Sequence, residues 1–198
     1  MRRYIVGIDE VGRGPLAGPV SIGIVVCKTL LVIPELTDSK KMTEAARKRA
    51  SALAGGMQKE GSITFGIYSA SAHEIDSCGI ELAIKRIIRK GLSELAPEPS
   101  NVEVVLDGRL RAPEEYRQQT VIGGDSLIPA ISLAAVVAKV ARDRYMATTA
   151  AQRFPAYGFE RHKGYGTAEH VSALRKVGPS AIHRMTYLSR ITDVSMPA

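Results

Sequence analysis

The stretch from Tyr4 to Val20, YIVGIDEVGRGPLAGPV, constrains this chain more than any other. Its opening, Tyr4-Ile5-Val6-Gly7-Ile8, is apolar and β-branched, which predicts a buried strand. Asp9 and Glu10 follow at once. Neighbouring side chains on a strand point to opposite faces, so both carboxylates can reach one crevice only where the strand ends. The run Gly12-Arg13-Gly14-Pro15, with Gly18-Pro19 behind it, continues neither strand nor helix and lets a second backbone or a ligand approach closely. An apolar strand thus delivers two acids to a sheet edge beside a glycine-flanked arginine. Paired acids can hold a divalent cation, and Arg13 in an open loop can hold a phosphate. Asp9-Glu10 alone would ordinarily be two solvated acids at a turn; the rest of the chain argues otherwise.

Val20 to Val26 predicts a second strand, returning from the first through Gly18-Pro19. A helix opens within Thr37 to Thr43, capped by Asp38, Ser39 or Thr43, runs to about Ala54 and stops at Gly55-Gly56. Ile63 to Tyr68 predicts a third strand, followed by helical sequence from about Ala72 to Cys78. After Gly79, Ile80, Ala83, Ile84, Ile87, Ile88 and Leu92 recur at helical spacing to Leu95, with Lys85, Arg86, Arg89 and Lys90 on the outer face. Pro97 to Ser100 reads as a linker, and Val102 to Leu106 as a fourth strand closed by Asp107-Gly108. Gln118 to Ile122 is a fifth candidate strand. Gly123-Gly124-Asp125-Ser126 then precedes an Ala/Val-rich helix from about Ile128 to Ala150, and a further helix covers Ala168 to Val177. This order predicts an α/β fold with a mixed five-stranded sheet flanked by helices. Residues 1–150 form the main domain, and 151–198 a small C-terminal helical extension packed on it.

Composition enters through charge. A formal net charge of +7 over 198 residues favours a polyanionic partner, nucleic acid or an anionic membrane surface. No apolar run approaches the roughly 18 residues that span a bilayer, and Met1-Arg2-Arg3 leads into a strand without the apolar region of a signal peptide. Cys27 and Cys78 lack metal-ligand spacing and read as buried thiols of a cytoplasmic protein. His73, His162, His170 and His183 are scattered, with no zinc-site spacing. No sustained heptad argues for a dimer, so a monomer is expected.

Carboxylates follow apolar strands or precede a helix at Asp9-Glu10, Asp107 and Asp125. In open α/β sheets, ligands bind beyond the carboxyl ends of the strands. If the first and fourth strands are parallel neighbours, Asp9 and Asp107 sit side by side, with Asp125 entering from the facing helix. Four converging acids repel one another and need cations between them; hard ions with oxygen ligands, Mg2+ or Mn2+, fit this donor set. Asp143, between Arg142 and Arg144, competes for the fourth place, although a helical acid so flanked is usually an ion-pair partner.

The strings GIDEVGRG, VVLDG, GGDS and KGYGT together resemble the ribonuclease HII family (type 2 ribonuclease H), over nearly the full length from Tyr4 to about Tyr187. The resemblance implies a ribonuclease H-like fold for residues 1–150 and a catalytic, metal-holding set of Asp9, Glu10, Asp107 and Asp125. It implies hydrolysis of the RNA strand of RNA–DNA hybrids by two divalent metal ions. Cleavage 5′ to ribonucleotides embedded in duplex DNA, leaving 3′-OH and 5′-phosphate ends, is implied as well. It also implies that Gly12, Arg13 and Gly14 read the ribose 2′-hydroxyl and grip phosphate, and that Tyr165, carried on the extension, stacks on the following deoxyribose. Ser39, Lys40 and Lys41 match a family string that meets backbone phosphates, and Lys163 and Arg184 are family-like residues assigned to phosphate contact; Lys139, His162 and His183 are family-like without an assigned role. Two departures stand out: Gly79 where relatives usually carry Asn, and Ala135 where they often carry Ser. Ile191 to Ala198 shows no sliding-clamp docking motif, so no clamp partner is expected. A non-catalytic nucleic-acid module would explain the charge but not the acids; another nuclease of the same fold would explain the acids but not the Gly-Arg-Gly and tyrosine strings.

Overall fold

The computed structural model describes residues 4–28, 31, 33, 36, 41–189 and 191. Expected roles of Ser39 and Lys40, capping by Asp38 and the C-terminal stretch from Thr192 therefore lie outside the described residues.

In chain order the sheet and its main helices are β1 (Tyr4–Val11), β2 (Val20–Cys27), α1 (Glu44–Lys59), β3 (Ile63–Ala70), α2 (Ala72–Cys78), α3 (Ile80–Leu95), β4 (Val102–Asp107), β5 (Gln118–Val121), α4 (Gly124–Leu127) and α5 (Pro129–Tyr145). The strands pair in the order β3-β2-β1-β4-β5. β1 runs antiparallel to β2 and parallel to β4, and β4 is parallel to β5, so the sheet is mixed as expected.

Both faces of the central strands are covered. Val6 and Ile8 of β1, Ile22 and Ile24 of β2 and Val104 and Leu106 of β4 meet Ile84, Ile88 and Leu92 of α3 in one core. Each such side chain contributes about 1.5–3 kcal/mol by leaving water. The alternate residues face α5, whose Ala130, Leu133, Ala134 and Val137 form a second core with Val25 and with Ala54 of α1. Helix and sheet touch backbone to backbone there: a Cβ on Gly7 would lie 2.3 Å from the Ala130 carbonyl carbon, and one on Gly23 would lie 2.1 Å from the Ala134 oxygen. Any side chain at these glycines would drive α5 off the sheet.

Three boundaries differ from expectation by more than two residues. β1 continues through the acids to Val11, because its ladder with β2 extends to Val11↔Ser21. The ladder to β4 stops at Ile8↔Leu106, which opens the sheet beside Asp9. α1 passes through Gly55-Gly56 to Lys59. Packing outweighs the cost of about 1 kcal/mol per helical glycine: Met57 packs on the α5-side core, and Gln58 Oε1 accepts from Phe65 N–H of β3 at 2.7 Å. Thr43 caps the helix, accepting from Ala46 N–H at 3.2 Å. Finally, α5 ends at Tyr145 and the chain continues as a π-turn over Met146–Ala150.

Beyond α5, Met146, Ala150, Tyr157, Phe159, Leu174 and Leu188 gather around Ala17 in a third core. The stretch after residue 151 is thereby packed against the loop that follows β1. Among the described residues no helix is long and apolar enough to cross a membrane. Cys27 is buried, its thiol pushed up to about 11 by that burial, and neither cysteine is in a disulfide.

Candidate active site

Strand alternation decides where the acids point. Asp9 shares its face with Gly7 and so looks toward α5; Glu10 shares its face with Ile8 and looks toward α3. On the α3 side Glu10 accepts from Arg13 Nε at 3.2 Å, and Arg13 also pairs with Glu81 of α3. Asp107, at the end of the neighbouring parallel strand, alternates onto the same face as Asp9. Its Oδ1 accepts from the Gly124 N–H of α4 at 2.7 Å. The adjacency expected for Asp9 and Asp107 follows from the parallel pairing of β1 with β4.

These side chains share an open cleft of about 490 Å3. Asp9, Glu10 and Asp107 line its acidic end; Gly12, Arg13, Gly14, Arg47, Lys139 and Tyr165 line the rest. Asp125 sits buried behind that acidic end, outside the cleft lining. Its charge nevertheless acts on Asp9. The Asp9 carboxyl is pushed up to about 8, first by burial and then by the nearby charges of Glu10, Asp107 and Asp125. Glu10 is raised as well, by burial above all, with Arg13 opposing and Asp107 adding. Asp143, the competitor for the fourth place, is held by Lys139 Nζ at 2.8 Å on the same helix. Among the described residues no group of three or more His, Cys, Asp or Glu side chains stands in metal-holding geometry.

Tyr165, also in the cleft lining, is 39% exposed, with Lys139 Nζ 5.7 Å and the Arg142 guanidinium 5.9 Å from its ring centre. Gly12 has φ +86, and a Cβ there would meet Arg142 Nε at 2.2 Å, so the tight loop requires glycine at this position.

Arg184 corrects an expectation. It is fully buried, and its guanidinium donates to the carbonyls of Gly18 (3.0 Å), Arg13 (2.9 Å) and Gly12 (2.6 Å). It supports the Gly-Arg-Gly loop from behind, with its bonds spent on backbone carbonyls and no exposed surface to offer a phosphate. Lys163 has a left-handed backbone (φ 53), and its ammonium donates to the Glu160 carbonyl. It lines a neighbouring cavity of about 350 Å3 with Arg47, Lys48 and Arg144. Lys41 is exposed. Ala135 lines the cleft, while Gly79 joins α2 to α3 outside its lining.

Two contributions were missed by sequence reasoning. Arg142, noted only as a neighbour of Asp143, is buried and donates to Pro19 (2.8 Å), Lys163 (3.1 Å) and Ala17 (3.2 Å) carbonyls, tying the loop after β1 to the tyrosine loop. The histidines also converge: His162, His170 and His183 form one buried cluster, with His162 and His170 stacked at 4.5 Å between ring centres. Arg142 had no sequence signal, since two of its partners lie more than 120 residues away along the chain; His162 and His183 were only family-like, without a role, and nothing in the sequence spacing joins the three rings.

A mixed sheet with acids at adjacent parallel strand ends, covered by helices on both faces, defines the class: a ribonuclease H-like α/β fold. It superposes on the ribonuclease HII of a PCNA complex from Archaeoglobus fulgidus with a TM-score of 0.72, covering 98% of each chain at 19% identity. Bst ribonuclease HIII in complex with Mn2+ gives 0.55, over 87% of this chain and 70% of that one, at 18% identity. In sequence, residues 6–190 match the family model for ribonuclease HII. The chain is 42% identical over 185 residues to the ribonuclease HII of Bacillus licheniformis, covering 93% of this chain and 69% of that protein. It is 44% identical over 192 residues to that of Synechococcus sp. (strain CC9902), covering 94% and 93%. The chain belongs to the ribonuclease HII family and is an endoribonuclease, a hydrolase.

Proposed function

We propose that this endoribonuclease hydrolyses the RNA strand of RNA–DNA hybrids and cuts 5′ to single ribonucleotides embedded in duplex DNA, leaving 3′-OH and 5′-phosphate ends. The observation that supports it most is one cleft lined by two unlike sets of groups: the acids Asp9, Glu10 and Asp107, and beside them Gly12, Arg13, Gly14 and Tyr165. A phosphodiester lying along it would meet acids at the bond to be cut and a loop and a ring at the sugars on either side.

Asp9, Glu10, Asp107 and Asp125 are the residues that would hold divalent metal, Mg2+ or Mn2+. The fit rests on their chemistry: all donors are hard carboxylate oxygens, and Asp9 is raised first by burial and then by its acidic neighbours, both of which a cation would offset. Two such ions, when bound, would supply activation of a water and stabilisation of the leaving oxygen. The chain's own groups do the remainder. Gly124 N–H fixes the Asp107 carboxylate, and Arg13, paired with Glu10 and Glu81, stands ready to exchange a carboxylate for a phosphate oxygen. The Gly12-Arg13-Gly14 backbone would read the 2′-hydroxyl, and the Tyr165 ring would stack on a sugar lacking one. Residues 1–150 act as the catalytic domain, and 151–198 carry the reader. The net charge of +7 favours a nucleic-acid partner, in keeping with a protein acting in the cytoplasm.

The test is cleavage of a duplex containing one ribonucleotide, run with Mg2+, with Mn2+ and with chelator, with end-group analysis of the products. A single cut 5′ to the ribonucleotide that chelator abolishes is expected. Chelator-resistant cutting, or 2′,3′-cyclic phosphate ends, would overturn the metal reading; an uncut duplex beside a cut hybrid would overturn the embedded-ribonucleotide reading.

A further inference from the structure

Behind Tyr165 the three buried histidines bond in a fixed direction. Ser180 N–H donates to His183 Nδ1 at 2.8 Å, and a backbone N–H can only donate, so that nitrogen is bare and the His183 proton sits on Nε2. His183 Nε2 faces His170 Nε2 at 2.9 Å; one of the two must be the acceptor, so His170 is bare there and protonated on Nδ1. His170 Nδ1 lies 2.9 Å from the Tyr165 carbonyl, which can only accept. The relay therefore runs from donor to acceptor, Ser180 to His183 to His170, and ends on the Tyr165 carbonyl. The third histidine is assigned in the same way: Gly164 N–H donates to His162 Nδ1 at 3.2 Å, leaving Nε2–H for the Tyr157 carbonyl at 2.8 Å. The Tyr165 backbone is pinned on both sides, its N–H donating to the His162 carbonyl at 2.9 Å and its carbonyl also accepting from Thr167 N–H at 2.8 Å. His162 stacks face to face on His170 and walls the relay from the side.

We propose that His183 and His170 are positioning residues for substrate discrimination: a neutral, one-way hydrogen-bond relay that sets the angle at which Tyr165 presents its ring to the sugar. Neither touches substrate. They act through the Tyr165 carbonyl, and burial keeps both imidazoles neutral, pushed down to about 4. A charged imidazole in this place would set N–H against N–H between the two rings. The relay is connected to the other reader as well, since His183 bridges to Ala17 and Arg184, next in sequence, holds the Gly-Arg-Gly loop. This inference rests on the reading of Tyr165 as the sensor of the RNA-to-DNA step.

The test uses the full-length protein in two arms. In the first, 15N spectra of the imidazoles report tautomers directly. His170 protonated on Nδ1 and His183 on Nε2 are expected; the opposite tautomer at His170, or averaging at either ring, would overturn the relay. In the second, cleavage of a single-ribonucleotide duplex and of an all-RNA strand in a hybrid is compared for Tyr165→Ala, His170→Leu and His170→Asn. His170→Leu should lower the ratio of the two rates roughly tenfold, since a small misplacement of a positioned group is costly. His170→Asn places an amide N–H near the same carbonyl and should restore the ratio to within about threefold of wild type. Equal losses on both substrates with His170→Leu, or no rescue by Asn in a folded protein, would overturn the positioning role. If Tyr165→Ala itself leaves the ratio unchanged, the reading of Tyr165 fails, and the relay stands or falls on the nitrogen spectra alone.

Discussion

The acids of the cleft and the support beneath its reading loops solve opposite electrostatic problems in opposite ways. Asp9, Glu10, Asp107 and Asp125 bring like charges together, and Asp9 is driven up to about 8 by burial and its neighbours. Beneath the reading loops, Arg142 and Arg184 are buried cations that form no ion pair with a carboxylate among the described residues. Each instead donates to three backbone carbonyls of loops that secondary structure leaves unbonded. The acids are left electrostatically incomplete, to be completed by what binds. The support is complete by itself, so the reading loops keep their shape without a ligand. Removing a charge should therefore have opposite consequences for stability in the two places.

The largest effect is expected at the acids. Asp9→Asn or Asp107→Asn should reduce cleavage by several orders of magnitude, while thermal melting without metal shows equal or greater stability. A clear drop in stability would mean that repulsion does not dominate there. Asp125→Asn belongs to the same experiment: near wild-type activity there, with a dead Asp143→Asn, would transfer the fourth acid to Asp143.

Arg184→Leu should do the reverse, destabilising the fold, because three backbone carbonyls lose charge-assisted hydrogen bonds and each buried acceptor left unpaired costs about 1–3 kcal/mol. Denaturant unfolding measures it. Activity on hybrid and on single-ribonucleotide duplex should fall together, because the Gly-Arg-Gly loop loses its support. A loss under about 1 kcal/mol, the scale of a surface pair, would show that the carbonyls find other partners.

A gentler probe is pH. His170 and His183 are lowered by burial to about 4 from 6.5, so within that window the unfolded chain binds protons that the folded chain refuses. Stability contributed by the pair is full above about pH 6.5 and is lost as pH falls toward 4, with a slope of at most about 1.4 kcal/mol per pH unit for each histidine. Removing both imidazoles should flatten that limb of the stability–pH curve, provided the double variant folds; an unchanged slope would place its origin elsewhere. The smallest effect concerns Lys163. If its ammonium leaves the Glu160 carbonyl for a phosphate on binding, Lys163→Ala should reduce the slope of log affinity against log salt by about 0.9. An unchanged slope would remove it from the phosphate surface.

What could be read from the chain in advance was what neighbours along it decide. Tyr4 to Ile8, Val102 to Leu106 and the Ile80–Leu95 helix carry their periods in their own residues, and the acids at the strand ends follow from them. The glycine pair at 55–56 misled, because a local cost was outweighed by contacts to β3 and α5 that α1 alone does not reveal. Arg184 misled for a similar reason: in sequence it is a basic residue near the end of a basic protein. Its three acceptors lie more than 160 residues away. His170 had no pattern at all and His183 only a family likeness without a role, since their pairing depends on a turn at Ser180 and on how a short helix docks.

One rod also carries more than packing. α5 is pressed onto the sheet backbone at Gly7 and Gly23, close to the acids, and its last turn plants Arg142 under the tyrosine loop. From Ala130 to Arg142 the rise is about 18 Å at 1.5 Å per residue. On the proposed reading, this helix works as a gauge block: its length, and not any contact with nucleic acid, sets how far the scissile bond lies from the sugar being read. Loops could drift to suit other sugars or other grooves. The interval could not, because adding a single residue within the helix would swing Arg142 about 100° out of phase.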